Sequence, residues 1–158
     1  LPPGTGDIPL TLAQTIPITG ILVVTTPQDV ASHVAVKAVS MFEKLNVPII
    51  GVVENMAHFI CPNCDDKHYI FGEGGAKKIS EQFNMPFLGE IPLNAGIMSG
   101  SDLGKPIMIT NPDSPSAVAF RKSAKNIAAQ CSIIAAKLQE EMASESAEEE
   151  SAPEPSTS

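Results

Sequence analysis

The stretch ILVVTTPQDVASHVAVKAVSMFEKLNVPIIGVV, residues 21–53, decides the fold. It opens on ILVVT, a β-branched run with no polar alternation, as expected of a strand buried on both faces. Thr26, Pro27 and Asp29 then supply a helix start. The hydroxyl can cap, the ring suits the first turn, and the carboxylate favours the positive end of the helix dipole. Val30, Val34, Ala38, Met41 and Leu45 recur at helical spacing, with Ala31, Ala35, Val39 and Phe42 beside them. Asn46 and Pro48 end that helix, and PIIGVV, residues 48–53, reads as a second buried strand. The segment is thus strand, helix, strand: one right-handed βαβ unit.

The same grammar continues outward. GGAKKISEQFN, residues 74–84, reads as a short helix, and FLGEI, residues 87–91, as a third strand. Residues 92–112 are looser, with a short helix near 95–103. Ser114 then caps and Pro115 opens a long helix with an apolar stripe of Val118, Ala124, Ile127, Cys131, Ile134, Leu138 and Met142. Alternating strands and helices predict an α/β fold, a three-layer parallel sheet flanked by helices. In such sheets ligands bind beyond the carboxyl ends of the strands. The loops at 25–29, 54–64 and 92–96 leave there, and LPPGTGD, residues 1–7, fits the same end if a strand precedes Leu1. The chain therefore reads as the C-terminal portion of a longer domain, ordered over residues 1–142. Residues 143–158 hold five Glu and no Lys or Arg, which predicts a disordered acidic tail.

Composition narrows the function classes. Apolar residues make up 43% of the 158, aromatics only 4%, and Trp is absent, so the core is aliphatic. Outside the tail, 10 basic residues face 13 acidic ones, which argues against nucleic acid as the partner. No run approaches the roughly 20 apolar residues of a membrane span. Three cysteines do not make a secreted disulfide framework, so a cytoplasmic setting is expected.

Several motifs carry chemistry. In LPPGTGD, Gly4 and Gly6 permit close backbone approach to a phosphate, although a Pro/Gly turn is the commoner meaning. GEGGAKKIS, residues 72–80, fails as a Walker A loop, because Lys77 stands where the second glycine belongs. Asn55, expected just past a strand end, either reads an adenine edge or caps a turn. Cys61 and Cys64 form CPNC, with His58 three residues before and His68 four after. A His–Cys–Cys–His zinc site within eleven residues would be cramped. Asp65 and Asp66 are expected to raise a neighbouring thiol's pKa, which disfavours redox catalysis. Cys131 falls on the helical stripe and reads as core. One thiolate pair is half a site. Two copies of the chain would supply four thiolates, enough for an iron–sulfur cluster across a homodimer.

Taken in order, LPPGTGD, VTTPQDVA, FEKLNVPIIGVVENM, CPNC, FGEGGAKKI, GEIPL and GKPI…NPDSP resemble the Mrp/ApbC family of iron–sulfur carrier ATPases. These are deviant P-loop NTPases related to MinD and to nitrogenase iron protein. The resemblance runs from Leu1 to about Ile127. It implies that Pro3, Gly4 and Thr5 belong to a switch loop facing the γ-phosphate. It implies that Asn55 reads adenine while Pro92 and Leu93 pack on the base. It implies that Cys61 and Cys64 bridge a [4Fe–4S] cluster across a homodimer. ATP and Mg²⁺ would be bound in the full-length protein. The Walker A loop is absent from these residues, so the chain alone is not expected to hydrolyse ATP. After GEIPL the family usually has Asp-Pro and an Arg, where this chain has Asn94, Ala95 and Met98. The expected function is delivery of a cluster to recipient apoproteins, without nucleic acid or membrane. A MinD-like positioning ATPase without a cluster and a structural zinc module are the alternatives.

Overall fold

The computed structural model describes residues 7–150. Its elements in order are α1 (Asp7–Thr15), β1 (Ile21–Thr25), α2 (Asp29–Lys44), β2 (Ile49–Ile60) and β3 (Lys67–His68). They continue with α3 (Gly75–Gln82), β4 (Phe87–Leu93), α4 (Ala95–Asp102), α5 (Ile107–Thr110) and α6 (Pro115–Glu150). β2 is central and pairs in parallel with β1 on one side and β4 on the other. β3 folds back antiparallel on the far end of β2.

The three layers follow from strand alternation. Val23 and Val52 face α2 and α3, where Ala35, Val39, Ala76, Ile79 and Met85 close one core. Ile50, Val53, Leu88 and Ile91 face the other way, against Ala119, Ile127, Cys131 and Ile134 of α6. Cys131 therefore packs in the core, as its place on the stripe indicated. Ser114 Oγ accepts from the Ala117 amide at 3.2 Å, so the cap expected for α6 forms.

Five expectations need correction. α1 begins at Asp7, where the sequence suggested only a loop. β1 is not buried on both faces: Val23 and Thr25 are buried, but Leu22 is 37% and Val24 59% exposed. The apolar row of α6 packs over β2 and β4 and leaves a groove of about 260 Å³ beside Leu22 and Val24. In α2 the buried row is Ala35, Val39 and Phe42, the residues beside the supposed stripe, whereas Val30 is 77% exposed. In α6, Val118 and Leu138 of the supposed stripe are exposed, and the side chain of Met142 is outside those described. The helix continues to Glu150, so residues 143–150 are helical where a disordered tail was expected. Their Ala and Glu content has high helix propensity, enough to extend an existing helix that needs no new nucleus. Residues 151–158 lie outside the described residues.

Gly51 shows how tightly β2 and β4 meet. Its φ is +145°, and a Cβ there would stand 2.5 Å from the Pro86 carbonyl oxygen and 2.8 Å from the Leu88 side chain. Gly51→Ala is expected to destabilise by more than about 2 kcal/mol, from strain and overpacking together. Gly104 has φ +65° and open space around it, so Gly104→Ala should cost about 1–2 kcal/mol. Urea unfolding of the two variants checks the order.

Candidate functional site

β2 is twelve residues long, while the apolar run that announced it stops at Val53. The strand continues past that run, and its first buried polar residue finds a partner. Glu54 is 2% exposed, and its Oε2 accepts from the Ala76 amide at 2.7 Å. Ala76 is in the first turn of α3, so a buried carboxylate meets the amide-rich end of a helix, which is where its charge is best offset. This occupancy also disposes of GEGGAKKIS as a phosphate loop, since the amide is already taken by Glu54. Asn55, expected beyond the strand, lies within it and is in register with Ile91 of β4. Register is then lost between Asn55 and Phe59, and Met56 takes φ 55°.

The cysteines sit on the turn between β2 and β3. The Cys61 amide donates to the Asp66 carbonyl at 3.0 Å, and the Asp65 amide to the Cys61 carbonyl at 2.9 Å. Phe59 pairs with His68 and Ile60 with Lys67. This short ladder brings Cys61 Sγ, Cys64 Sγ and a ring nitrogen of His68 within 4.8 Å of one another. Cys61 is half-buried, whereas Cys64 and His68 are exposed. All three cysteines of the chain are free thiols.

His58 does not join this group. It is 6% exposed, with Nδ1 3.6 Å from Glu90 Oε2 and its ring 6.0 Å from that of Tyr69. The four-residue His–Cys–Cys–His set weighed from the sequence is therefore three residues here. Burial holds the His58 pKa below its usual value, Lys67 lowers it further, and Glu90 opposes both. Glu90 is instead bridged by Lys77, Nζ to Oε1 at 3.1 Å, and this bond raises the Lys77 pKa.

The acidic residues expected to raise a thiol pKa beside Cys64 do act in that direction on Cys61, through Asp65, but they do not set the net shift at Cys61. Its pKa is lowered, chiefly by backbone amides of Asn63 and Cys64 that donate to the sulfur, with a further bond from the Cys64 side chain. Asp65 pushes the other way and is outweighed. Here hydrogen bonds that favour the charged form outrank the Coulombic effect of a nearby carboxylate.

The remaining residues singled out in the sequence are distributed as follows. Pro3, Gly4 and Thr5 lie outside the described residues. Asn55 is half-buried, its Oδ1 accepts from the Met56 amide at 3.0 Å, and it borders a groove of about 570 Å³ with Thr26, Ala31 and Phe42. Pro92 and Leu93 end β4 and border a different groove, of about 380 Å³, with Phe59 and Pro62. Pro62 lies between the two cysteines, so that groove touches the cysteine turn. Sequence reasoning did not weigh Glu54, Glu90 or Lys77 as a group. Their partners are distant in the chain, and nothing local signals them.

Residues 1–128 match the family described as ParA: NUBPL iron-transfer P-loop NTPase. The chain belongs to this family. It is 48% identical over 134 residues to the iron-sulfur cluster transfer protein NUBPL of Dictyostelium discoideum, covering 85% of this chain and 42% of that one. It is 51% identical over 125 residues to the iron-sulfur cluster carrier protein of Aquifex aeolicus, covering 79% and 34%. Among solved structures it resembles an Archaeoglobus fulgidus nucleotide-binding protein in complex with ADP, in which cobalt was found. That match has a TM-score of 0.61 at 40% identity and covers 76% of this chain and 48% of that one. The cell division ATPase MinD of Pyrococcus furiosus follows, with a TM-score of 0.51 at 27% identity over 67% and 40%. The fold is thus that of MinD-like P-loop NTPases, and the chain spans about two fifths or less of these curated NUBPL-family relatives. No helix among the described residues is long and apolar enough to cross a membrane.

The depressed pKa of His58 has a consequence for stability. Between about pH 6.5, the ordinary value for an unfolded His, and the lower native value, the unfolded chain binds more protons. Stability is expected to fall as pH drops through that window. His58→Gln should flatten the slope, measured as urea midpoints from pH 7.5 to 5.

Proposed function

We propose that this chain carries the cluster-handling part of an iron–sulfur cluster carrier, which receives a [4Fe–4S] cluster as cargo and passes it to recipient apoproteins. The observation that carries the reading is the exposed turn on which Cys61 and Cys64 converge. Two thiolates from one chain leave a cubane cluster half-ligated, and two further cysteines complete it. A second copy brought up by a two-fold axis supplies them, because a two-fold interface presents the same patch twice. Exposure lets that second copy, and later an acceptor, reach the sulfurs. The amides of Asn63 and Cys64 favour the thiolate form of Cys61 that ligation requires.

Nucleotide would act through the neighbouring loops. Asn55, Pro92 and Leu93 are proposed to contact the base of ATP, and Pro3, Gly4 and Thr5 to lie toward its terminal phosphate with Mg²⁺. The Archaeoglobus relative's ADP supports nucleotide binding by the family. Asn55 is on the strand that ends at the cysteines, and Pro62 borders the groove of Pro92 and Leu93. A shift of these segments with nucleotide would therefore be felt at the turn. ATP hydrolysis is assigned to the longer protein. Free thiols on an exposed turn fit a reducing, cytoplasmic setting.

Anaerobic reconstitution with iron and sulfide tests the reading. The wild-type chain should take up about four iron and four sulfide per two chains and elute as a dimer. Cys61→Ser/Cys64→Ser should take up neither. Equal iron in both proteins, or one zinc per monomeric chain with no iron–sulfide uptake, would sink it.

A further inference from the structure

We infer that His68 is a third metal ligand, and that Cys61, Cys64 and His68 of a single chain hold one divalent ion of the zinc class with the fourth coordination position open. The inference rests on the cysteine pair of the proposed carrier but assigns a residue and a state that the bridging cluster does not use.

The geometry comes from the hairpin. Phe59 stands opposite His68, and Cys61 lies two residues beyond Phe59 on the same side of the strand. His68 is therefore the diagonal neighbour of Cys61, within reach across the ladder. Cys64 closes the triangle from the turn. The three donor atoms lie within 4.8 Å of one another. In a tetrahedral site with metal–sulfur bonds near 2.3 Å and metal–nitrogen bonds near 2.1 Å, the donors stand about 3.5–3.8 Å apart. A contraction of at most about 1.3 Å makes the site, and Cys64 and His68 are exposed enough to move that far.

The chemistry selects the ion. Two thiolates and an imidazole suit a borderline-soft divalent cation, whereas calcium and magnesium require oxygen ligands. Two thiolates neutralise the ion's double charge, and the two thiol protons leave to solvent on binding. Among the described residues no fourth His, Cys, Asp or Glu joins the group. His58, the one other His near it, is buried toward Glu90. Water or an incoming thiolate takes the open position. His68 thus occupies, within one chain, a place that a partner's cysteines would claim. It keeps Cys61 and Cys64 convergent while the second copy is absent.

Cobalt(II) titration of the full 158-residue chain under reducing, metal-free conditions tests this, because Co²⁺ reports tetrahedral geometry and thiolate ligation in its visible and near-ultraviolet bands. The wild type should bind one Co²⁺ per chain with tetrahedral bands, and Zn²⁺ should displace it. His68→Ala, at an exposed position where folding is safe, should weaken binding by more than about 100-fold, beyond the usual effect of losing an outer-sphere partner. His68→Cys should restore it with stronger sulfur-to-metal absorption. Unchanged affinity and spectrum in His68→Ala would overturn the assignment. The carrier reading fails separately. If iron and sulfide do not reconstitute a cluster but the His68-dependent Co²⁺ site remains, only that reading is lost. If His68→Ala keeps both normal cluster uptake and normal Co²⁺ binding, only this inference is lost.

Discussion

The buried carboxylate of Glu54, seated on the Ala76 amide, is the contact on which the cysteine turn depends. The chain leaves β2 at Ile60 and re-enters the fold at α3, so residues 61–74 form an excursion that must be closed at its base. Glu54 closes it by fastening the start of α3 to β2. A charge this deep is tolerated only with compensating donors, and the free amides of a helix start are such donors. Lys77, one residue further along α3, reaches Glu90 on β4. The helix is thereby tied by polar contacts to both strands that flank the site, and its apolar side, Ala76 and Ile79, fills the core between them. The turn stands in solvent on a root held by these polar contacts and by core packing.

How much of this was legible depended on where each residue's partners lie in the chain. The βαβ unit could be read because burial on a sheet leaves a continuous aliphatic run, visible without any tertiary knowledge. The overshoot of β2 could not. Glu54 and His58 break the apolar run and look like loop residues; their partners, Ala76 and Glu90, are 22 and 32 positions away. Asn55 was accordingly placed outside a strand that contains it. The same limit explains Leu22 and Val24. Nothing in ILVVT says that the second helical layer packs over β2 and β4 and leaves β1 half bare.

The site itself was partly legible. The spacing of Cys61 and Cys64 made the convergence of their sulfurs predictable, since a two-residue gap closes a turn. Choosing between His58 and His68 required the hairpin register, because both are equally plausible by spacing. Strand alternation then separates them: His58 is buried toward Glu90, and His68 stands opposite Phe59. The pKa-raising effect expected of the carboxylates beside Cys64 is present but outweighed at Cys61, for a related reason. Asp65 is close in sequence, but the amides of Asn63 and Cys64 donate directly to the sulfur and outweigh it.

A carrier faces opposing demands, since it must hold its cargo and also release it. Deep burial of the thiolates would favour holding and block transfer. Here the donors rest on a ladder of two residue pairs, on a turn of which only Cys61 is even half-buried. Such short exposed ladders belong to the low-stability end of a fold, where local opening costs little. On the proposed function the holding strength would therefore come from ligation, with incomplete sets completed from outside the chain. On the proposed carrier function, whatever fills the empty positions, a second turn or an acceptor's cysteines, would also set when the cargo leaves. On this arrangement the rigid root at Glu54 and the loose tip at Cys64 are complementary parts of one device. The first fixes where the sulfurs are presented, and the second leaves them free to exchange partners.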